Sequence, residues 1–368
     1  MSPRLAKIIS ADSHVREPID LWWNTLGAKF GERTPRVITE HKGKKGRFFY
    51  TGRWVTGIGE IETMQEKAFG KELEQSGYIP EKRVKFQVDA GIEAEIMNPS
   101  PMLSVMQAEH ADVGQACAEV FNDWLAEFCS HDPRRLVANG TVPMYDVDWA
   151  VGELQRIVRR GMKGAIINVE PPEGRPTYRD SSYDPFWAAA QDLDVPITLH
   201  IITGRVPDPI LYFHTAKEHE DTPRAMLAVW DEIGRVLANE FIFGGVLDRF
   251  PRLKLVTSEY EVSWIPSFMF RIDQMQDDFS PRLPLPRLAL RASDYMRTRV
   301  FHGLIDDPYA AVNIPLVGVD QILWGSDFPH VRSIGLDTHD RLVKMFETLT
   351  PGDQAKIVGG SAARLYNI

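Results

Sequence analysis

The sequence has few cysteines, no excess of positive charge and no long apolar segment, and each absence excludes a class of protein. Two cysteines among 368 residues are too few for a disulfide framework or for a zinc site built from thiolates. Acidic residues outnumber basic ones, 51 to 42, and without a basic stripe such a chain does not suit a nucleic acid. The first residues lack the apolar core of a signal peptide, and no apolar run is long enough to span a bilayer. We therefore expect a cytoplasmic protein without a membrane or nucleic-acid partner.

The remaining composition is that of an ordered globular protein, with 43% hydrophobic and 25% charged residues. Short apolar runs alternate with helical patterns along the whole chain, and several of them are continuous rather than alternating, which is typical of buried parallel strands. Eight such runs occur, at Lys7–Ala11, Ala94–Met97, Leu136–Val142, Gly164–Ile167, Pro196–Leu199, Leu253–Val256, Arg299–Phe301 and Gln321–Trp324. The pattern predicts an α/β fold, a closed (β/α)₈ TIM-like barrel of eight parallel strands, with an open doubly wound sheet as the alternative.

Two regions interrupt this alternation. Residues 17–85 separate the first two predicted strands and contain the hairpin-like run GRFFYTGRWVTG. An excursion of this length inside one domain is usually a lid or a small subdomain. The polar stretch Gly204–Pro223 reads as a second loop above the site. We therefore predict one domain, residues 1–368, with residues 17–85 as an inserted lid.

Metal-ligating side chains follow the predicted strands at three separate places. Asp12 and His14 follow the first strand, His200 the fifth and Asp327 the eighth. The carboxyl ends of all strands of a (β/α)₈ barrel open on one face, so these residues can converge. His200 alone could be a core histidine and Asp327 alone a helix cap, but their joint placement favours a metal site. Two imidazoles and two carboxylates suit Zn²⁺ first, with Mn²⁺ or Fe²⁺ as alternatives.

The combination of motifs resembles the amidohydrolase-related family, in the branch that includes aminocarboxymuconate-semialdehyde and γ-resorcylate decarboxylases. The motifs are ISADSHVREP, ITLHIITG, GGVLDRFPRLKLVTSE, ILWGSDFPH and the closing GGSAARLYNI. The resemblance implies a TIM-like barrel, one divalent metal ion and a homodimer. Asp12 and His14 fall on the family's first-strand ligand pair, His200 on its strand-5 histidine and Asp327 on its strand-8 aspartate.

Two positions bear on how far the resemblance extends. The decarboxylases of the family carry a histidine after strand 6 that serves the chemistry, whereas Glu259 stands closest to that place here. A carboxyl group beside a metal can still move protons if its pKa is raised. Two-metal members of the superfamily use a carboxylated lysine at the end of strand 4. That end here reads Ile167 to Glu170 without a lysine, which favours one metal ion.

These observations predict a metal-dependent hydrolase acting on a small carboxylated or aromatic substrate. The ion would activate a bound water, with Asp327 as the general base and Glu259 as a second acid–base group. The alternative is a metal-dependent non-oxidative decarboxylase, a carboxy-lyase, of a related aromatic or unsaturated acid, and hydration of a double bond would use the same groups. A metal-free barrel that only binds its ligand is the alternative from another class, and it predicts no stoichiometric metal.

Four further residues are weaker candidates. His302, at the end of the seventh predicted strand, is a catalytic candidate if it faces the mouth of the barrel, although core packing explains it equally well. His330 could orient Asp327 or bind the substrate. Arg205 could bind a substrate carboxylate through both of its terminal nitrogens, or it could be a solvated loop residue. Trp264 could line an aromatic pocket or pack beneath the lid.

Overall fold

A parallel eight-stranded sheet organises the molecule. The computed structural model describes residues 5, 7–58, 67, 70, 73–204, 222–279, 282, 287–330 and 333–368. The strands are β1 Ile9–His14, β2 Arg36–His41, β3 Lys44–Tyr50, β4 Val55–Gly57, β5 Ala94–Asn98, β6 Leu136–Thr141, β7 Gly164–Ile167, β8 Ile197–His200, β9 Leu255–Ser258, β10 Val300–Leu304 and β11 Ile322–Trp324. The sheet runs in the order β1-β5-β6-β7-β8-β9-β10-β11, and all eight predicted barrel strands are confirmed.

Helices follow the strands and cover the outside of the sheet. They are α1 Leu21–Phe30, α2 Pro80–Ala90, α3 Pro101–Val105, α4 Ala111–Cys129, α5 Val147–Arg159, α6 Asp184–Asp192, α7 Thr222–Val236, α8 Val246–Arg249, α9 Ile265–Phe279, α10 Ala292–Thr298, α11 Ala310–Val317, α12 Thr338–Met345, α13 Pro351–Ala355 and α14 Ser361–Tyr366. Across the part of the chain that is described, the helices are too short or too polar to cross a membrane.

The first and last strands meet at a seam that nearly closes the sheet into a barrel. The backbone N–H of Ser326 donates to Oγ of Ser10 over 2.8 Å, and the N–H of Asp327 donates to the carbonyl of Asp12 over 2.9 Å. Both contacts join β1 to the turn at the carboxyl end of β11. The TIM-like barrel is therefore confirmed, and its closure places the end of β1 against the turn that follows β11.

Apolar side chains fill the inside of the barrel, and a second, larger set packs the strands against the helices. The interior cluster contains Ile9, Ala11, Ala94, Ile96, Val137, Val256, Phe301 and Leu323. Because side chains alternate along a strand, neighbours of these residues such as Met97 and Leu255 point outward into the helical layer. β1 departs from this alternation between Ser10 and Ser13. In α5, Ala150, Leu154 and Ile157 are buried as the helical spacing predicts.

Part of the excursion after β1 forms a separate three-stranded antiparallel sheet, in the order β2-β3-β4. β3 and β4 pair antiparallel, with Phe49 opposite Thr56, as the hairpin-like run predicts. Phe49 is buried and contacts the ring of Trp22 in α1 at a centroid distance of 5.8 Å. That residues 17–85 act as a lid stays a prediction.

Candidate active site

Asp12, His14 and His200 meet at the carboxyl end of the barrel. One ligand atom from each lies within 4.8 Å of the others. Nε2 of His14 is 3.3 Å from Oδ1 of Asp12, and Nε2 of His200 is 3.6 Å from the same oxygen. All three side chains are buried, and Oδ2 of Asp12 and both Nε2 atoms lack a hydrogen-bond partner among the described residues. Unpaired polar atoms are costly inside a protein, so the two unpartnered Nε2 atoms that lie beside the Asp12 carboxylate indicate a place for a bound group.

The other ring nitrogens fix how the two histidines present these atoms. Nδ1 of His14 is 2.6 Å from the carbonyl of Pro99, and Nδ1 of His200 is 3.0 Å from the carbonyl of Ile201. A carbonyl oxygen only accepts, so each Nδ1 carries the proton and donates. In the neutral form of each ring, Nε2 offers a lone pair to the centre, which is the arrangement of metal-binding histidines.

The electrostatics of this cluster favour positive charge. Burial and the charge of His330 lower the pKa of His14 to about 4, which keeps its ring neutral at neutral pH. Burial also lowers the pKa of His200, but the carboxylates of Asp12 and Glu259 raise it to about 9. Burial raises the pKa of Asp12, but the two histidines lower it more, so it lies well below its usual range. A divalent cation at this point would satisfy the same carboxylate charges.

Asp327, in the turn after β11, adjoins the cluster through His14, and with His14, Glu259 and His330 it forms a second group whose ligand atoms lie within 4.8 Å of one another. Its Oδ1 lies 3.3 Å from Nε2 of His14 and 2.6 Å from Nδ1 of His330. Its φ of 56° is in the left-handed region, which is uncommon for residues other than glycine. Nε2 of His330 is 3.2 Å from Oγ of Ser100, so that ring is held at both nitrogens. Asp327 and His330 therefore form a contacting pair beside the cluster.

Glu259 follows β9 directly and lies beside two histidines of the site. Its carboxylate oxygens lie 3.6 Å from Nδ1 of His200 and 3.9 Å from Nδ1 of His330. Burial and the neighbouring carboxylate of Asp327 raise the pKa of Glu259. Its φ of 66° is also left-handed, and such strain is concentrated at functional sites. The carboxyl group therefore sits beside the candidate ligands, where it can exchange a proton with a bound molecule.

A cavity of about 1660 Å³ opens onto this centre and carries both apolar and charged side chains. Residues of its wall include Glu17, Tyr78, Trp264, Phe268, Glu259 and Asp327. Nε1 of Trp264 donates to the carbonyl of Glu261 over 3.1 Å, and its ring contacts Phe268 at 5.2 Å between centroids. An indole held in this way offers a rigid apolar surface to an aromatic molecule. Trp264 and His330 thus both line the space above the cluster.

The structure does not bring His302 to the site, which corrects its prediction as a catalytic residue. β10 continues to Leu304, so His302 lies in mid-strand and not at the strand end. Phe301 belongs to the interior cluster, and the next side chain points the other way. Nε2 of His302 is 3.0 Å from the carbonyl of Met296 in α10, on the outside of the barrel. Arg205 lies outside the described residues.

Sequence reasoning missed several residues that support the cluster. Nδ2 of Asn98 donates to Oδ1 of Asp12 over 2.7 Å, and Nδ2 of Asn139 donates to Oδ1 of Asn98 over 2.8 Å. Asn98 ends β5, so the same strand-end argument could have found it. Gly325 lies so close to Asp12 that a Cβ there would stand 2.4 Å from Cβ of Asp12. Nothing in the sequence indicates that contact.

Comparison with known proteins defines the family. The amidohydrolase family model matches residues 52–368. The chain belongs to the amidohydrolase family. Among curated amidohydrolase relatives, γ-resorcylate decarboxylase of Rhizobium radiobacter is 29% identical over 330 residues, 83% of this chain and 95% of the relative. The 2-amino-3-carboxymuconate-6-semialdehyde decarboxylase of Dictyostelium discoideum is 22% identical over 354 residues, 94% and 88% of the two chains.

Solved structures of amidohydrolases share this fold. Dihydroxybenzoic acid decarboxylase of Polaromonas, with bound manganese and the inhibitor 2-nitroresorcinol, superimposes with a TM-score of 0.71 at 22% identity. The superposition covers 99% of this chain and 97% of that one. At this identity the likeness shows the barrel and its topology. The resemblance to the family, stated from the motifs, is confirmed.

The relatives overturn the prediction of a hydrolase. The chain is an enzyme of the amidohydrolase superfamily, but the curated relatives described above are decarboxylases. The prediction failed because the ligand set and the nearby carboxylates serve either reaction. A metal-activated water and a metal-bound carboxylic acid need the same cation and similar acid–base groups. The alternative reading, a carboxy-lyase, is the one that the relatives favour.

Proposed function

We propose that this amidohydrolase is a metal-dependent, non-oxidative decarboxylase of a hydroxylated aromatic acid. One observation carries the proposal: the buried carboxylate of Asp12 and the unpartnered Nε2 atoms of His14 and His200 converge below a cavity lined by aromatic side chains. The names of the relatives supply the reaction class, and the Polaromonas structure that resembles this fold holds manganese.

The donor set fits a divalent cation. We propose that Asp12, His14, His200 and Asp327 hold one ion, which when bound would stabilise negative charge on the carboxylate and phenolic oxygens of the substrate. Zn²⁺ is the ion expected from the ligands and Mn²⁺ is the ion in the Polaromonas relative. The proposal is for one ion per chain, and both metals enter the test.

The side chains of this chain supply the remaining steps. Trp264 and Phe268 hold the substrate ring. Glu259 donates a proton to the ring carbon that bears the carboxylate. The bond between that carbon and the carboxyl carbon then breaks, its electron pair returns to the ring, and CO₂ leaves. His330 keeps Asp327 oriented through its 2.6 Å contact. Glu259 is left as the carboxylate and takes up a proton from water before the next turnover.

A pair of buried histidines tests the proposal. His200 and His302 are both fully buried, but only His200 faces the cluster. His200→Ala should lose bound metal and CO₂ release, whereas the matched control His302→Ala should keep one metal ion per chain in its folded fraction. Elemental analysis after loading with Zn²⁺ or Mn²⁺ gives the first readout.

Product analysis gives the second readout. Carboxylated phenols, with 2,6-dihydroxybenzoate among them, are assayed for CO₂ release in parallel with esters, lactones and amides. CO₂ release that is abolished by a chelator and restored by the metal supports the proposal. A wild-type protein without stoichiometric metal, or one that hydrolyses the second panel and leaves the first untouched, contradicts it.

A further inference from the structure

A buried ion pair lies beside the candidate metal cluster but not in the cavity. Arg83 in α2 and Glu95 in β5 are both 0% exposed, and Nε of Arg83 lies 2.6 Å from Oε2 of Glu95. The described cavity wall contains neither residue. Burying two charges costs several kcal/mol of desolvation per ion, on the order of what their attraction returns, and apolar pairs are often as stable. A contribution to stability alone is therefore a weak explanation for the presence of this buried ion pair.

The guanidinium of Arg83 contacts the backbone on both sides of the seam between the first and last strands. Nη1 donates to the carbonyl of His14 over 2.8 Å, and Nη2 lies 3.3 Å from the carbonyl of Phe328. His14 is itself a proposed ligand, and Phe328 follows the proposed ligand Asp327 directly. The N–H of His14 also donates to the carbonyl of Phe328, over 2.8 Å. Arg83 thus bridges the two chain segments that present ligands from opposite sides of the seam.

Neighbouring groups prevent this guanidinium from turning. Ser13 Oγ accepts from Nη2 over 2.7 Å and donates to Oε1 of Glu95 over 2.6 Å. Nε2 of Gln87 donates to Oε2 of Glu95 over 2.9 Å. The guanidinium carbon lies 5.0 Å from the ring centre of Phe328, which stacks on Phe86 at 3.8 Å. The planar group is therefore fixed by hydrogen bonds along its edge and by an aromatic ring near its face.

We propose that Arg83 is a positioning residue for the metal cluster. It holds the carbonyls of His14 and Phe328 at a fixed separation, and it thereby sets the 3.3 Å distance between Nε2 of His14 and Oδ1 of Asp327. This inference rests on the proposed metal-dependent function. A lysine at position 83 would keep the charge opposite Glu95, but one ammonium cannot reach both carbonyls and the serine.

The test compares Arg83→Lys with Arg156→Lys, a matched change in another arginine–glutamate pair. Arg156 contacts Glu153 through two nitrogens, at 2.7 and 2.8 Å, in α5 and away from the cavity. The Mn²⁺ dissociation constant and the electron paramagnetic resonance spectrum of bound Mn²⁺ are measured on folded protein, alongside the thermal midpoint. Arg83→Lys should weaken Mn²⁺ binding by about tenfold or more, as is common for residues that orient ligands, and should change the spectrum.

Arg156→Lys should lower the thermal midpoint and leave Mn²⁺ binding and the spectrum unchanged. Wild-type binding and spectrum in folded Arg83→Lys would overturn the inference. If Arg83→Lys does not fold, Ser13→Ala is the alternative test. It removes only the hydroxyl that links Arg83 to Glu95 and leaves both charged side chains in place. Unchanged Mn²⁺ binding in Ser13→Ala then overturns the inference, and weaker binding supports it. A wild-type protein that binds neither Mn²⁺ nor Zn²⁺ overturns the proposed function as well, which separates the two failures.

Discussion

Nε2 of His14 lies 3.3 Å from Oδ1 of Asp327, although one residue ends the first strand of the barrel and the other follows the last strand. Asp327→Asn keeps the size of this side chain and removes its charge. We expect the Mn²⁺ dissociation constant to rise by at least about tenfold, since a carboxylate ligand is replaced by a neutral amide. Titration calorimetry measures this constant directly, and the exposed Asp320→Asn is the control.

Thermal unfolding gives an independent check of the same substitution. A ligand at about 100 times its dissociation constant stabilises the folded state by roughly 2.7 kcal/mol. Mn²⁺ should therefore raise the melting temperature of the wild type, and at the same concentration it should raise that of Asp327→Asn much less. Equal shifts of the melting temperature in the two proteins would show that Asp327 does not bind the metal.

Glu259→Gln should separate catalysis from metal binding. The amide cannot donate the proton that the ring carbon needs, so we expect kcat for CO₂ release to fall by about 100-fold or more. Metal content should not change, because Glu259 is not one of the four proposed ligands. Single-turnover CO₂ release and elemental analysis measure the two effects.

Glu261→Gln is the matched control for Glu259. Glu261 accepts a hydrogen bond from the N–H of Ile305 over 3.0 Å, and a glutamine oxygen can accept the same bond. It should retain most of the activity. A Glu259→Gln enzyme with wild-type kcat would show that another group protonates the ring.

The strand-end argument predicted the cluster for a physical reason. Parallel strands in a barrel bring their carboxyl ends to one rim, so Asp12, His14, His200 and Asp327 converge once the strand positions are right. The same argument failed for His302 because it requires the correct last residue of the strand. β10 runs on to Leu304, and the alternation of faces then sends His302 outward.

Other features could not be predicted because they depend on contacts between distant segments. Arg83 reads as an ordinary charged residue of an amphipathic helix, and only the packed structure shows that it meets Glu95 and the carbonyl of His14. The reaction type could not be predicted from the sequence either. Glu259 and the four proposed ligands were identified from their positions, but those side chains do not distinguish hydrolysis from decarboxylation.

Gly325→Ala should disturb the cluster although it adds one methyl group. The new Cβ would stand 2.4 Å from Cβ and 3.0 Å from the backbone nitrogen of Asp12, so the end of β1 must shift. We expect weaker Mn²⁺ binding together with a loss of stability of about 1–3 kcal/mol, as for other overpacked sites. Calorimetry and urea unfolding give the two quantities.

Gly152→Ala is the control, because nothing lies within 4 Å of a Cβ at this position in α5. Alanine there should stabilise the protein by about 0.5–1 kcal/mol and leave Mn²⁺ binding unchanged. If Gly325→Ala binds Mn²⁺ as the wild type does, the close approach of the two strands is not what positions Asp12.

Glu17, in the wall of the cavity, should make stability depend on pH. Burial raises its pKa from 4.5 to about 7, although the N–H groups of Met102 and Ser100 and the charge of His330 lower it. The folded state therefore holds a proton that the unfolded state has released, and the free energy of unfolding falls as pH rises from about 4.5 to 7. The loss amounts to about 3 kcal/mol at most.

The variant Glu17→Gln tests this, because its side chain cannot titrate. The free energy of unfolding of the wild type should therefore fall relative to that of the variant across this pH window. Urea unfolding of both proteins in chelator from pH 4.5 to 8 measures the difference, and parallel curves would show that Glu17 stays ionised.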